Sequence, residues 1–368
     1  MIQKGMEGGS EIGAGTYGCV YDHPLRIISP EDGTCIKHPS TKGVVAKITE
    51  SEEAANEIDA AKVIAHIPNY RVYFSVPDPE SIEKPCALKD QTDEPDLKDC
   101  PIVKVRPMSH MLHFTLPYAG KGITKHFAVF LKENKIMPVE KVITHLLEGA
   151  AQLALYNYVH LDIHRGNILF DDETSMPRII DFGFSFSAKN ITAETVKTRW
   201  KVYTPSFPYE PPEITVATGF RKQISLETIL HDLIQERSLF KTCQFLLQMP
   251  MTAQRDSFQR FWKNSKSIQQ RDWVSLYKYY WPGFDAWSFG AILLEMYTKF
   301  ANASAYTDQP GWSDLASRIR EVLRGLLKMN PVMRIDCVEA LFMFNPESPI
   351  LKMEAAKKWM QDRERMRQ

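Results

Sequence analysis

The sequence has little of what marks a membrane-spanning, secreted or nucleic-acid-binding chain. Its longest apolar run near a predicted helix, Ala291 to Leu294, is far too short to span a bilayer. The beginning, MIQKGMEGGSEIG, lacks the apolar core of a secretion signal. Basic and acidic residues both number 45, so no excess of positive charge favours nucleic acid or an anionic membrane as a partner.

Cysteine is also sparse. Six cysteines in 368 residues are too few for a dense disulfide framework, which predicts a reducing compartment and an intracellular, cytoplasmic protein. Cys35 and His38, with Cys86 and Cys100 further on, fit no zinc spacing, so no zinc is predicted. The chain is 44% hydrophobic, as globular proteins are, and its length predicts two domains.

The chain divides into a strand-rich first part and a larger helical second part. Residues 11–21 and 43–49 are predicted strands, and residues 51–65 a helix with Glu57 on its apolar face. Residues 77–101 are rich in Pro, Asp, Lys and Glu, which predicts a solvated insertion loop. Strands are predicted again at 103 and around 113–116, and helical spacing dominates beyond.

The stretch Ile12-Gly13-Ala14-Gly15-Thr16-Tyr17-Gly18-Cys19-Val20 contains the pattern G-x-G-x-x-G. Because a strand continues after it, the glycines lie at a hairpin tip, where backbone N–H groups can approach phosphate. A flexible hairpin without a ligand gives the same pattern. On the next predicted strand, Lys47 can direct its ammonium at a fixed anion. A buried carboxylate such as Glu57 requires a cation, and Lys47 can supply it.

The stretch HLDIHRGNILF, residues 160–170, places many polar groups directly before a short buried strand. Asp162 could accept or orient the proton of an attacking hydroxyl. Asn167 offers an amide oxygen, and Asp181 a second carboxylate after another short strand. Oxygen ligands of this kind suit Mg²⁺. Together with the glycine hairpin, Lys47 and Glu57, they are the parts that phosphoryl transfer from ATP requires.

In this combination the sequence resembles a eukaryotic-type Ser/Thr protein kinase over residues 12 to about 344. The resemblance implies an α+β, two-lobed fold with a small antiparallel-sheet lobe and a larger, mainly helical lobe. It implies that Lys47 anchors phosphate beside Glu57 and that Asp162 is the catalytic-loop aspartate. Asn167 and Asp181 would be the metal ligands, and the cofactors would be ATP and Mg²⁺.

The resemblance also implies contacts further along the chain. Pro211-Pro212-Glu213 resembles the end of the family's activation segment, which would begin at Asp181. Arg334 resembles the arginine that pairs with the closing glutamate, here Glu213. Asp285 resembles the aspartate of the central helix that braces the catalytic loop. Leu116 aligns with the gatekeeper, and Ala119 N–H in the hinge would face adenine. The implied nucleotide-contact residues are Ile12, Gly13, Ala14, Gly15, Thr16, Tyr17, Gly18, Val20, Ala46, Lys47, Glu57, Leu116, Pro117, Ala119 and Leu169.

The implied domains are an N-terminal lobe over 1–116, a hinge over 117–120 and a C-terminal lobe over 121–345. A helical insertion covers about 214–282, and a C-terminal helical tail covers 346–368. Residues 214–284 hold ten Lys or Arg against five Asp or Glu. The extra helices either pack on the larger lobe with a solvated basic face or form a docking surface for an acidic protein substrate. With GTYGCVY, this insertion is similar to kinases of large DNA viruses. A viral origin would imply a host cytoplasm or a virion as the location.

Several positions depart from the family pattern. Leu161 stands where the family usually has the arginine that reads a phosphate on the activation segment, which predicts activity without that switch. His164 stands where Ser/Thr kinases have a lysine. Either His164 or Arg165 would replace it at the γ-phosphate, with Arg165 favoured for its permanent charge. Glu53 is a second candidate partner for Lys47. Ser206 would supply a hydroxyl to Asp162, which favours Ser/Thr as the acceptor.

Two other functions are compatible with parts of the pattern. The loop Asp-Ile-His-Arg-Gly-Asn resembles that of aminoglycoside and choline kinases, which act on small molecules. Those enzymes lack the features at Glu213, Asp285 and Arg334. A non-catalytic scaffold that binds partners through the insertion is the third hypothesis, and the retained metal ligands argue against it. The prediction is therefore an ATP-dependent protein serine/threonine kinase.

Overall fold

The computed structural model describes residues 11–14, 18–39, 41–92, 95–132 and 135–367. The chain forms two compact units. The first reaches to Gly120 and includes Ile180–Phe184, and the second consists of Lys121–Ile179 and the chain from Ser185 onward.

The first unit is built on a four-stranded antiparallel sheet in the order β1-β2-β5-β6. A separate two-stranded hairpin is formed by β3 and β4. The elements are β1 (Glu11–Ala14), β2 (Gly18–Tyr21), β3 (Arg26–Ile28), β4 (Cys35–Lys37), β5 (Val44–Glu50), α1 (Ser51–Ile64), α2 (Tyr70–Tyr73), α3 (Pro101–Val105) and β6 (Met111–Pro117). Short 3₁₀ segments cover Leu88–Asp90, Pro95–Asp99 and Met108–His110.

Strand β5 is central because it pairs with β2 on one side and β6 on the other. Lys47 lies opposite Val20 on β2 and Phe114 on β6. The helix α1 follows β5 directly, with Glu52 and Glu53 in its first turn, where the helix dipole favours negative charge. The predicted strand at 43–49 and the predicted helix at 51–65 are confirmed, and Glu57 lies on the buried face of α1 as expected.

The predicted solvated loop over 77–101 is wrong in part, and the strand predicted at 103 is wrong. Gln91, Leu97 and Cys100 are buried, and residues 101–105 form the helix α3. Pro101 is suited to the first turn of a helix, where its missing N–H is not needed. Buried Ile102 joins a core cluster with Cys19, Tyr21, Leu25, Ile48, Leu97, Cys100, Met108 and Met111. Burial of this face outweighs the strand preference of Ile102-Val103.

Two disulfides connect this insertion to the strands of the same unit. Cys19 on β2 is bonded to Cys100, and Cys35 on β4 is bonded to Cys86. The remaining cysteines, Cys243 and Cys337, are buried thiols of the second unit. The expectation that the cysteines are reduced is therefore wrong for four of the six. A reducing, intracellular compartment stays a prediction, and cysteine usage no longer supports it.

The disulfides predict the thiol count of the protein. Denatured without a reductant, the chain is expected to expose two thiols, from Cys243 and Cys337, to a thiol-specific reagent. Non-reducing peptide mapping by mass spectrometry should recover the Cys19–Cys100 and Cys35–Cys86 pairs. Six reactive thiols in protein purified without reductant would contradict the pairing.

The second unit is mainly helical. Its strands are short and form a three-stranded sheet in the order β10-β9-β7 and a two-stranded sheet of β11 and β8. The strands are β7 (Lys121–Gly122), β8 (Tyr158–Val159), β9 (Ile168–Phe170), β10 (Pro177–Ile179) and β11 (Phe186–Ser187). The helices are α4 (Ile123–Lys132), α5 (Val139–Leu155), α6 (Ala193–Thr198), α7 (Pro212–Arg221), α8 (Leu226–Glu236), α9 (Ser238–Leu247), α10 (Met251–Asn264), α11 (Lys266–Gln269), α12 (Trp273–Tyr280), α13 (Pro282–Ala301), α14 (Ser304–Thr307), α15 (Trp312–Leu326), α16 (Cys337–Phe344) and α17 (Glu354–Arg367). Short 3₁₀ segments cover Ala188–Asn190 and Pro349–Lys352.

Helix α13 lies at the centre of this unit, with most of its residues buried, among them Asp285 and Trp287. The extra helices predicted in residues 214–284 are present, and each has buried apolar residues, such as Leu233 and Phe258. The predicted tail helix is present as α17. Its Trp359 Nε1 donates a hydrogen bond of 2.9 Å to Asp336. No described helix is both long enough and apolar enough to cross a bilayer.

Candidate active site

In the first unit, Lys47 is the centre of a small charged cluster. Its ammonium contacts the carboxylate of Glu57 and lies 3.0 Å from Asp181 Oδ1. The pair predicted between Lys47 and Glu57 is confirmed, so Glu53 is not needed as the alternative. Burial alone would lower the pKa of Lys47, but the carboxylates of Asp181 and Glu57 raise it above its ordinary value. Lys47 therefore stays charged at neutral pH.

The glycine hairpin is described only in part. Gly15, Thr16 and Tyr17 lie outside the described residues, while residues 11–14 form β1 and Gly18 begins β2. A Cβ atom on Gly18 would lie 2.4 Å from the Ile48 carbonyl oxygen. Glycine is therefore required at this position because two adjacent strands approach closely there.

Three residues predicted to contact adenine lie at the end of β6. Leu116 and Pro117 are opposite Val45 and Val44, and Ala119 is buried just beyond the strand. The Pro117 carbonyl accepts a hydrogen bond of 2.7 Å from Ser75 Oγ. Ala46, one residue before Lys47, is fully buried on the neighbouring strand. Contacts of these residues with a nucleotide stay a prediction.

Asp181 has an unusual backbone conformation, with φ at 64°. This left-handed region is uncommon for residues other than glycine, and such strain is frequent at functional sites. The next residue, Phe182, is buried and packs edge-on against Phe74 at a centroid distance of 6.0 Å. The side chain of Asp181 is 45% exposed, so its carboxylate is accessible to a ligand while Lys47 holds one oxygen.

In the second unit, Asp285 braces the loop before Asp162. Its two carboxylate oxygens accept hydrogen bonds from the backbone N–H groups of His160 and Leu161 at 2.7 and 2.8 Å. Leu161 has a φ of 62°, and these bonds hold it there. The brace that the family resemblance implied is confirmed. Burial raises the pKa of Asp285, although the two N–H bonds act in the opposite direction.

The carboxylate of Asp162 is contacted by a lysine and a histidine side chain. Lys201 Nζ lies 2.6 Å from one oxygen, and His164 Nε2 lies 3.6 Å from the other. Burial would raise the pKa of Asp162, but the interactions with His164 and Lys201 outweigh it and hold the pKa well below its usual range. Asp162 is therefore an ionised, oriented hydrogen-bond acceptor at any physiological pH.

Asn167 closes the same loop. Its Nδ2 donates a hydrogen bond of 2.9 Å to the Asp162 carbonyl, which uses the donor end of the amide and fixes its orientation. Asn167 is buried at the start of β9, and Leu169 lies two residues further along that strand. The amide oxygen of Asn167 is the group that the sequence predicts as a metal ligand.

One prediction around Asp162 is changed by these contacts. Ser206 was expected to bond Asp162, and among the described residues Lys201 and His164 meet that carboxylate instead. Arg165 is exposed and lines a groove of about 610 Å³ together with Phe207, Tyr209, Leu239 and Glu295. Its contact with a γ-phosphate stays a prediction.

Sequence reasoning missed Lys201. It lies twenty residues beyond Asp181 in a stretch, Trp200 to Tyr203, whose pattern does not mark it as functional. The only signal was indirect: the lysine expected two residues after Asp162 is absent, so a replacement cation had to come from elsewhere.

The end of the activation segment is fixed by a buried ion pair. The side chains of Glu213 and Arg334 are both inaccessible to solvent. The Arg334 guanidinium donates two parallel hydrogen bonds of 2.7 and 2.9 Å to the Glu213 carboxylate. Arg334 also donates to three backbone carbonyls, those of Lys328, Met329 and Gly283. The predicted pairing of Glu213 with Arg334 is confirmed.

Comparison with known families gives one match that covers nearly the whole chain. The model of the family described as protein kinase domain matches residues 6–343. No curated protein matches the chain.

The pair of Glu213 and Arg334 gives a prediction for stability. Arg334→Met leaves Glu213 charged and buried without its partner, so we expect the free energy of unfolding to fall by about 3–5 kcal/mol. The double variant Glu213→Gln/Arg334→Met should lose less than the sum of the two single changes. The measurement is urea unfolding followed by circular dichroism.

The matched control for this measurement is Arg365→Met. Arg365 is 77% exposed and pairs with Asp362 on the surface of α17, so its removal should cost less than about 1 kcal/mol. Equal losses in Arg334→Met and Arg365→Met would contradict the structural importance of the buried pair.

Proposed function

We propose that this chain, which belongs to the protein kinase domain family, transfers the γ-phosphate of ATP to serine or threonine hydroxyls of protein substrates. Membership of the family implies kinase activity with ATP and a divalent cation. The observation that carries the finer proposal is the environment of Asp162. This carboxylate is ionised, is contacted by the Lys201 ammonium and the His164 ring, and belongs to a braced loop, which suits it to accept a hydrogen bond from a hydroxyl.

The proposed nucleotide contacts come from the sheet of the first unit and from Leu169. Lys47, charged and oriented by Glu57, supplies the cation for the phosphates. The backbone of the hairpin from Ile12 to Gly18, with Val20, lies alongside the same phosphates, and Ala46, Leu116, Pro117 and Ala119 contact adenine. The close approach required at Gly18 supports a tightly built hairpin.

Magnesium is the proposed cation, with Asn167 and Asp181 as ligands. The donor set fits, because an oriented amide and an accessible carboxylate both offer oxygen. When bound, Mg²⁺ neutralises negative charge on the phosphates. Mg²⁺ is usually held by one or two protein groups plus phosphate oxygens, so two ligands are sufficient.

Asp162 acts on the acceptor hydroxyl. The hydroxyl oxygen forms the new bond to the γ-phosphorus while the bond to the β–γ bridging oxygen breaks, and ADP leaves with that electron pair. The hydroxyl proton passes to the carboxylate of Asp162. Because the pKa of Asp162 is lowered, this residue is a weak base, so its main contribution is to orient the hydroxyl and to take the proton late in the transfer.

The groove beside the catalytic loop supports a protein as the acceptor. Its aromatic lining, Phe207 and Tyr209, and its volume of about 610 Å³ suit a peptide better than a small alcohol. The buried pair of Glu213 and Arg334 also argues against the aminoglycoside and choline kinases, which lack it. The proposed preference for serine and threonine rests on the resemblance to Ser/Thr kinases, in which a hydroxyl is characteristic of the position that Ser206 occupies here.

The proposal is tested with radiolabelled ATP, generic proteins and a peptide library, followed by phosphoamino-acid analysis. We expect label on serine and threonine. Asp162→Asn should lower kcat by about 10²–10⁴-fold with nucleotide binding retained, because the variant keeps the shape and loses the proton acceptor.

Asp172→Asn is the matched control, since Asp172 makes a half-exposed ion pair with Lys121 at the surface. It should leave kcat unchanged. Label on small alcohols alone would favour the small-molecule kinase, and nucleotide binding without any transfer would favour the scaffold. Full activity of Asp162→Asn would remove Asp162 from the mechanism.

A further inference from the structure

We infer that Lys201 is the positioning residue that orients Asp162 for phosphoryl transfer, and that the helical insertion holds Lys201 in place. This inference rests on the proposed function. Lys201 Nζ lies 2.6 Å from Asp162 Oδ1, and the Lys201 side chain is only 14% exposed. A short, largely desolvated contact between opposite charges fixes the carboxylate more firmly than a surface ion pair does.

The alternative cations are less suited to this role. His164 is further away, at 3.6 Å, and is charged only when protonated. Its Nδ1 already accepts a hydrogen bond of 3.0 Å from Gly166 N–H, which ties the ring to its own loop. Arg165 is exposed and lines the groove. Among the described residues, Lys201 is therefore the permanently charged side chain that contacts the Asp162 carboxylate.

The residue before Lys201 is held by aromatic contacts from the insertion. The Trp200 ring packs edge-on against Trp273 of α12 at a centroid distance of 6.0 Å. The guanidinium of Arg221, at the end of α7, lies 5.1 Å from the centroid of the same ring. An indole between an aromatic edge and a cation is held in a defined place, and the Lys201 backbone follows it directly.

The residues after Lys201 are held by polar contacts from the same insertion. Tyr203 Oη donates a hydrogen bond of 3.1 Å to Asp232 of α8. Buried Arg237 donates to the carbonyls of Pro205 and Glu210 at 3.0 and 2.7 Å. Lys201 thus lies between two anchored stretches of backbone, and all of the anchors come from residues 221–273.

These contacts give the insertion a structural role, which is to hold the stretch of chain around Lys201. The charge pattern of the insertion alone did not indicate this role. Leu161 cannot bind a phosphate on the activation segment, so another contact must order that segment. The insertion supplies it with Trp273, Arg221, Asp232 and Arg237. We call these four residues, Arg221, Asp232, Arg237 and Trp273, the clamp. The clamp fixes the backbone on both sides of Lys201 and so holds the Lys201 ammonium beside Asp162.

The test compares Lys201→Met, Lys201→Arg and Lys197→Met in the peptide assay. Lys201→Met should lower kcat about 100-fold, the effect of removing one oriented group at the reacting centre. Its KM for ATP should stay within about threefold, because the effect is on the acceptor side. Lys201→Arg, which keeps the charge, should recover at least about tenfold of the loss.

Lys197→Met is the matched control in the same segment. Lys197 is 74% exposed, and its described ion pair is with Glu194 on the surface of α6. The kcat of Lys197→Met should therefore stay within about twofold of the wild-type value. Nucleotide binding measured by thermal shift in all variants reports whether the protein is folded.

The clamp is tested by Trp273→Ala alone and together with Lys201→Met. Trp273→Ala should lower kcat by itself and should add little to Lys201→Met, because both changes act through the same contact on Asp162. Additive losses would show that Trp273 acts by a separate route and would overturn the clamp.

The outcomes separate this inference from the proposed function. A wild-type protein that transfers phosphate, with Lys201→Met as active as Lys197→Met, would overturn the role of Lys201 and leave the kinase proposal standing. Equal activity of Lys201→Arg and Lys201→Met, or a rise in KM for ATP that matches the fall in kcat, would also overturn it. A wild type without transfer would contradict the proposed function itself.

Discussion

The arrangement of the second unit depends on one constraint: a half-buried carboxylate must stay ionised and point in one direction. Asp162 has 28% of its side chain exposed and sits in a loop whose preceding residue has a left-handed backbone. Burial opposes its charge, so cations are required beside it. Asp285 fixes the backbone before Asp162 by accepting two N–H hydrogen bonds, and Lys201 supplies the positive charge beside the Asp162 carboxylate.

The first unit solves a similar problem in a different way. Lys47 is a buried cation, and Glu57 and Asp181 are the two carboxylates around it. The helix α1 supplies Glu57 from its buried face, and the strained turn at Asp181 supplies the other carboxylate. In both units a charge is thus removed from water and paired with groups from distant parts of the sequence, an arrangement that is frequent at functional sites.

How much of this could be predicted from the sequence depends on how each contact is encoded. The pairs of Lys47 with Glu57 and of Glu213 with Arg334 were predictable, because each residue belongs to a recognisable motif. The brace from Asp285 was predictable for the same reason. Lys201 was not, because its position is fixed by Trp273, Arg221 and Asp232, which carry no motif. The cysteine pairs Cys19–Cys100 and Cys35–Cys86 depend on how residues 77–105 fold back on the sheet.

The local secondary-structure preference of the sequence also gave a wrong prediction where tertiary packing determines the conformation. Residues 101–105 have the β-branched composition of a strand and form a helix, because Pro101 favours a first turn and Ile102 is buried in the cluster with Cys19. The family resemblance implied that Ser206, seven residues before Glu213 in the sequence, would bond Asp162. In the structure the segment places Lys201 there instead.

We propose that the chain's own contacts, and no added phosphate, hold Asp162 in position for phosphoryl transfer. The most direct measurement is the initial rate of peptide phosphorylation by protein that has been treated with phosphatase and shown by intact mass to carry no phosphate. We expect a linear rate from the first turnovers, with the same kcat as that of untreated protein. An inactive dephosphorylated protein that recovers only after phosphate is added to residues 182–212 would contradict it.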